Sequence, residues 1–360
     1  SLIVVAGLPF LATRFFEPIY QVYGKPWLSP RSNLVFGGSQ LLLALAIWWR
    51  PDMTITQISV GIVLANLAYT AVAFWMMLSV VKPDLRPHRE LLGHILRMAA
   101  PQGVGSIFAT IIMRADVIIL AHLVGAAAAG LYSAACRLLE VAVFIAITVI
   151  TPLIPILTDQ IRQDKAAAVV QCRMAAQLAG VLSLPVAIVA PTLAPPVLSA
   201  VLGPDFIAAA APLNVLAINF VLIVFSLLVW CINLANGEVA HGYWNSPLAC
   251  AVNLSLNFLL IPHLGTVGAA WATVSSQLVM FLVSNHYVGA RFGRLYDRAI
   301  WARLAGACAL LWASLHLTAD LGPLASASLS LALYVALVVR LRLFPRQVVD
   351  FVIAKRKLRS

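Results

Sequence analysis

The chain has 360 residues, of which 62% are hydrophobic and 10% are charged, with a net charge of +11. A soluble domain is about 45–50% apolar and about 25% charged, so this composition excludes a water-soluble fold and specifies a polytopic membrane protein. The positive charge does not point to nucleic acid, because it is confined to the ends of apolar runs, as the pass along the chain shows.

A bilayer-spanning helix needs about 20 mostly apolar residues. One partial run, 1–13, opens the chain. Full runs follow at about 33–49, 55–81, 98–122, 128–157, 166–190, 208–234, 241–262, 266–288, 300–318 and 322–339. The first connection holds Arg14, Lys25 and Arg31, and the third holds Lys82, Arg86, Arg89 and Arg97. The fifth holds Arg162, Lys165 and Arg173, and the ninth holds Arg291, Arg294, Arg298 and Arg303. The tail carries Arg340, Arg342, Arg346, Lys355, Arg356, Lys357 and Arg359, whereas the intervening connections hold only Arg50. The positive-inside rule puts the basic set, and the C-terminus with it, in the cytoplasm, where it also faces anionic lipid. Asn236–Trp244, on the basic side, carries no Lys or Arg and departs from the pattern. With the tail inside and eleven spans, Ser1 starts on the outer side. The chain begins without Met or a charged leader, so the reading expects an odd number of spans ahead of it.

Outer connections are short. The longest, about Pro191 to Ile207, is mostly apolar and is expected in the interface. A membrane enzyme such as a polysaccharide polymerase needs a substantial outer loop, and none is read here. Cys136, Cys172, Cys231, Cys250 and Cys308 are scattered singly, with no metal-ligand spacing and no paired Cys motif. Trp27, Trp48, Trp49, Tyr243 and Trp244 read as interfacial anchors. Pro152 and Pro155 are expected to kink the 128–157 helix.

Four charges fall inside spans: Arg114 and Asp116, then Arg137 and Glu140. Each costs about 2.5–3.5 kcal/mol at a helix centre on insertion scales. Arg137 and Glu140 share one helix face and can pair. Arg114 and Asp116 point to nearly opposite sides, so at least one meets another helix. The short link from Leu123 to Ala129 makes the two helices antiparallel neighbours and puts the charges at similar depth. Two roles stay open for the four: ion pairs that lock helices, or lining of a wet cavity that handles a charged ligand. Asn253 and Asn257 share a face and read as interhelical hydrogen-bonding groups. His122 reads as interfacial, and Glu238 with His241 as a solvated turn.

Two stretches, RADVIILAHLVGAAAAGLYSAACRLLE at 114–140 and VNLSLNFLLIPHLGTVGAAWATVSSQ at 252–277, carry a resemblance. Arg114-x-Asp116 followed by Gly125, Gly130 and Tyr132 resembles the polysaccharide-transporter branch of the multidrug/oligosaccharidyl-lipid/polysaccharide exporter superfamily. So does Asn253-x-x-x-Asn257, Ile261-Pro262, Gly265 and Gly268-Ala269-Ala270, and so does the loop Leu202 to Phe206. The resemblance implies an all-α, two-lobed, V-shaped bundle with its first lobe incomplete. Residues 1–81 then belong to the first lobe and 82–97 to a cytoplasmic linker. Residues 98–290 form a six-helix second lobe, 291–343 two extra helices and 344–360 a basic tail. It implies a secondary transporter, not an enzyme, in a bacterial inner membrane. Such a protein carries polyprenyl-diphosphate-linked oligosaccharide by alternating access for surface polysaccharide synthesis, such as lipopolysaccharide O-antigen or exopolysaccharide.

Arg114 and Arg137 are then expected to hold the diphosphate, with Asp116 and Glu140 orienting them. Either acid is alternatively a coupling site for H⁺ or Na⁺; no other cofactor is expected. Gly125, Gly130, Tyr132, Asn253, Asn257, Pro262, Gly265 and Gly268 are expected to shape and pack helices. Expected partners are the lipid-linked substrate, membrane lipids, and polymerase and assembly proteins. A multidrug or cation antiporter and a lipid II flippase are the alternatives of the same superfamily.

Overall fold

The computed structural model of the chain describes residues 16–23, 25, 27–50, 52–81, 89–150, 153–236, 242–293 and 296–343. The described residues form eleven α-helices and two 3₁₀ turns, with no strand among them. Helices α1 (Phe16–Val22), α2 (Leu28–Trp49) and α3 (Ile55–Leu78) come first. Then come α4 (Arg89–Leu123), α5 (Ala126–Ile150), α6 (Leu153–Gln163) and α7 (Lys165–Leu202). Helices α8 (Ala210–Ala235), α9 (Gly242–Phe292), α10 (Arg298–Leu317) and α11 (Pro323–Arg340) complete the set. Nine helices among the described residues are long and apolar enough to cross a membrane. One of these stretches, Asn245–Ala290, reverses at Gly265 and supplies two of the spans read from the sequence. The expected partial span 1–13, the turn holding Glu238 and His241, and the tail 344–360 lie outside the described residues.

The chain divides into two compact units, the first ending at Leu92. In the first, α2 and α3 pack as a hairpin and α1 lies against both. The Tyr20 hydroxyl donates to the Ala73 carbonyl at 2.8 Å, and Tyr69 donates to Asn33 Oδ1 at 3.2 Å. A capping box starts α3: Thr54 and Gln57 exchange side-chain and backbone bonds, which satisfies two donors of the first turn. Trp48 and Trp49 end α2 fully exposed, as interfacial anchors require.

The second unit is built on α8, which packs against α5, α6, α7 and α9. Its core joins Leu120, Tyr132, Leu198, Leu216, Ile261 and Ala269 from α4, α5, α7, α8 and α9. Helices α10 and α11 pack on α7 and on each other. Two expectations change here. Residues 89–97, expected in a linker, are the first turns of α4. Helix α5 is described to Ile150 and α6 from Leu153; the kink expected at Pro152 lies outside the described residues, and Pro155 falls in the first turn of α6. The expected outer connection from Pro191 is helical to Leu202. At 1.5 Å per residue α7 is about 57 Å long, well beyond the hydrocarbon core of about 30 Å. Its internal prolines at 185, 191, 195 and 196 do not end it, because packed neighbours and interfacial water can serve the freed carbonyls.

Two glycines carry reversals. Gly125 (φ 123°) closes α4, its N–H donating to Leu120 O at 3.1 Å. Gly265 (φ 56°) folds α9 into two antiparallel arms. Past that bend the arms touch backbone to backbone: a Cβ on Gly268 would sit 2.5 Å from the Leu260 carbonyl oxygen. By contrast Gly130 has nothing within 4 Å of such an atom, so close packing does not explain it. Gly268→Ala is therefore expected to cost about 1–3 kcal/mol through forced backbone displacement. Gly130→Ala is expected to leave stability unchanged or slightly raised. Thermal unfolding of the detergent-purified variants, followed by size-exclusion chromatography, compares them.

Candidate functional site

Helix α4 places Arg114 and Asp116 on different faces, because two residues advance the helix by about 200°. Arg114 is exposed beside Ile111 and Ile118, and Asp116 is buried at 5% exposure. Asp116 meets no guanidinium or ammonium among the described residues. Neutral donors from two other helices surround it instead. Tyr132 of α5 donates its hydroxyl to Oδ2 at 3.0 Å, and Thr273 of the second α9 arm donates to the same oxygen at 2.5 Å. Asn257 of the first α9 arm donates Nδ2–H to Oδ1 at 2.6 Å. Its second N–H goes to Asn253 Oδ1 at 3.0 Å, and Asn253 reaches Ser276 Oγ at 3.5 Å. Asn253 and Asn257 are fully buried.

This geometry follows from the local sequence. The turn at Gly125 makes α4 and α5 antiparallel, which brings Tyr132 opposite Asp116. The reversal at Gly265 brings Thr273 and Ser276 beside Asn257 and Asn253. Because Gly268 lets the arms approach closely, short side chains suffice to bridge them. A carboxylate taken out of water is costly unless charge or hydrogen bonds compensate it. Here three neutral donors share that task, so the site carries one uncompensated negative charge. One acceptor is left over: the Asn257 Oδ1 atom is buried without a hydrogen-bond partner. The oxygens of Asp116, Asn253, Asn257 and Thr273 are hard donors, and the Cys136 thiol meets only the Tyr132 hydroxyl at the edge of the network. Such a set suits a proton or a small hard cation better than a transition metal. Among the described residues no cluster of three or more His, Cys, Asp or Glu side chains could hold a metal ion.

The other charges sit elsewhere. Arg137 Nη1 and Glu140 Oε2 pair at 2.8 Å on an open face of α5, with side chains 68% and 45% exposed. Val141, Phe144 and Ile145 extend that same open face. The Asp116–Tyr132 register sets Arg137 about one turn from the depth of Arg114. The structure therefore separates the four charges into an exposed set (Arg114, Arg137, Glu140) and one buried acid. Pro262 is exposed ahead of the Gly265 bend, and His122 is exposed in the last turn of α4. Sequence reading missed Thr273. A hydroxyl in an apolar helix has no distinguishing signal until the Gly265 reversal is placed and Thr273 is set against the Asp-Asn pair.

Residues 53–211 match a protein family described as polysaccharide biosynthesis protein. No curated protein matches the chain by sequence. Its fold is similar to that of the lipid II flippase MurJ in an inward-closed conformation. The TM-score is 0.76 at 12% identity, over 94% of this chain and 74% of that one. It is also similar to an inward-facing multidrug resistance MATE family transporter of the MOP superfamily, with a TM-score of 0.66 at 14% identity, over 80% and 70%. A MOP superfamily transporter from Pyrococcus furiosus, described as having a binding pocket of reverse polarity, scores 0.57 at 14% identity, over 80% and 68%. The chain thus has the helical fold of MurJ and the MATE transporters.

Hydrogen bonds to an ionised acceptor contribute about 1.5–3 kcal/mol each. Thr273→Val removes one from Asp116 and is expected to lower stability by that order. Arg137→Gln, at an exposed pair, is expected to leave it within about 0.5 kcal/mol. Melting of the two purified variants in the same detergent checks the contrast.

Proposed function

We propose that this chain is part of a secondary transporter of the polysaccharide-transporter family. It flips polyprenyl-diphosphate-linked oligosaccharide across a bacterial inner membrane by alternating access, for the assembly of surface polysaccharide. The observation that carries the reading is a buried Asp116, unpaired with any cationic side chain among the described residues and held by donors from α5 and both α9 arms, within a MurJ- and MATE-like fold; the family match at 53–211 supplies the polysaccharide connection.

The physical task is to move an anionic diphosphate and many hydroxyls past hydrocarbon, which unaided flipping makes prohibitive. In this reading the exposed Arg114 and Arg137 meet the diphosphate, and Glu140 keeps Arg137 oriented without burying it. An apolar cavity of about 510 Å³ between α5, α7, α8 and α11 gives the same unit a surface suited to a lipid chain. Leu139, Val186 and Val335 line it, and Tyr334 turns its hydroxyl away to the Val181 carbonyl. Asp116 is the coupling group. Asp116, Asn257, Asn253 and Thr273 would hold a proton or Na⁺, which supplies the missing positive charge. With that charge the three helices close on a neutral centre. Without it the carboxylate relies on neutral donors alone, so the packing of α4, α5 and α9 responds to ion occupancy. The C-terminus is read as cytoplasmic, and polymerase and assembly proteins are the expected partners downstream.

The similarity to MurJ favours one alternative substrate, peptidoglycan lipid II. Loss of the gene is then lethal, whereas loss of a surface-polymer flippase is expected to spare viability.

In the full-length protein, Arg114→Gln combined with Arg137→Gln is expected to cut surface polysaccharide severalfold at matched expression. Asp116→Asn is expected to abolish ion-driven transport while the protein stays folded and monodisperse. Unchanged export in the double variant ends the anion-site reading, and intact ion dependence in Asp116→Asn ends the coupling reading.

A further inference from the structure

The hydrogen bonds at Asp116 belong to a longer polar seam that runs away from the Gly265 bend. Asn253 faces Ser276 across the two α9 arms; an equal number of residues further along each arm, Asn245 donates to Ser284 Oγ at 2.5 Å. One constant register therefore sets Ile261 against Gly268, Asn253 against Ser276 and Asn245 against Ser284. Helix α8 adds a matching stripe. Asn219, Ser226 and Asn233 recur at heptad spacing, which keeps them on one helix face. That face meets α9, because Gln277 donates to Ser226 Oγ at 2.8 Å. Helix α8 and the second arm run in the same direction, so Asn233 is level with Ser284 and Asn219 is close to the level of Thr273.

Three tiers of polar side chains thus descend from Asp116 to the open end of the α9 hairpin. From Asn257 to Asn245 the drop is about 18 Å. Helix pairing alone does not account for them. Asn219, Asn245 and Asn257 are all buried, and each has a side-chain oxygen with no hydrogen-bond partner. Buried polar atoms in native proteins are satisfied by protein or by ordered water, and an acceptor left unmet in an apolar surround is costly. Three such oxygens on one seam mark it as a place that water occupies. The register leaves a single apolar rung, Ala249 opposite Met280, between the second and third tiers.

We infer that the α8–α9 seam is a hydrated conduit that carries the coupling cation, a proton or Na⁺, between Asp116 and the membrane face at Asn233, Asn245 and Ser284. The inference rests on the coupling role of Asp116 given above. Met280 over Ala249 is its narrowest point, and the polar groups above and below it replace part of the ion's hydration.

Two experiments test it in the full-length protein reconstituted into liposomes. In the first, all native cysteines are replaced by alanine, and single cysteines are introduced at Ser284, Asn245 and Ser226. A membrane-impermeant cationic methanethiosulfonate is applied from the side at which α9 begins. All three positions are expected to label, Ser226 most slowly, and far faster than a chain retaining only the buried Cys172 as a dry control. Labelling no faster than at Cys172 overturns the conduit. In the second, Asn245→Leu with Ser284→Ala, both remote from Asp116, is expected to lower ion-driven transport severalfold. Full ion-driven transport in that double variant also overturns the conduit. If Asp116→Asn abolishes coupling and the seam stays unlabelled, the coupling site stands and only the route falls. If Asp116→Asn retains coupling, the site itself falls, whatever the labelling.

Discussion

A carboxylate held by hydroxyl and amide donors, with no cationic side chain beside it among the described residues, is the constraint around which the second unit is built. Asp116 on α4 fixes Tyr132 on α5 and both arms of α9 through three hydrogen bonds. Between lipid-embedded helices there is little hydrophobic driving force, so such bonds and close packing of small residues determine which faces meet. The core residues Ala135, Ala269 and Ala270 are fully buried nearby, and their small side chains let the helices approach closely enough for short polar groups to reach one another. Sequence, packing and chemistry converge there: the glycine bend, the alanine pair and the Asn-x-x-x-Asn spacing each exist to deliver donors to one acid.

The contrast between Arg114 and Asp116 shows why placement matters more than the presence of charge. Both lie in one apolar run, yet one is exposed and the other is buried. An exposed guanidinium can exchange partners with little reorganisation. A sealed carboxylate cannot, so any change in its charge is felt by every helix that contributes a donor. On this difference rests the proposal that the exposed arginines recognise the substrate and the buried acid couples its movement to an ion.

Much of this was legible in the sequence because hydropathy, glycine positions and basic-residue alternation are local signals. The spans, the reversals at Gly125 and Gly265, the pairing of Arg137 with Glu140 and the divergence of Arg114 from Asp116 follow from period and spacing alone. The bonding of Asp116 did not follow, since its partners are 16, 141 and 157 residues away. Asn253 and Asn257 read as ordinary interhelical hydrogen-bonding groups because nothing local shows which acid they face. The extent of α7 was misjudged for a different reason. Pro191, Pro195 and Pro196 are helix breakers in water, and only tertiary support lets the helix run through them.

Gly180 of α7 has the Trp301 ring of α10 against the position where a side chain would begin. Close by, Gln177 donates to the Leu343 carbonyl just past α11 at 2.6 Å. The last two helices are therefore keyed into α7 by an aromatic socket at one point and a clasp at another, not merely lodged beside it in lipid. A tilt of α7 must drag both along, so the carboxy-terminal pair is mechanically a portion of the lobe it leans on, whatever its sequence suggests about being an appendix.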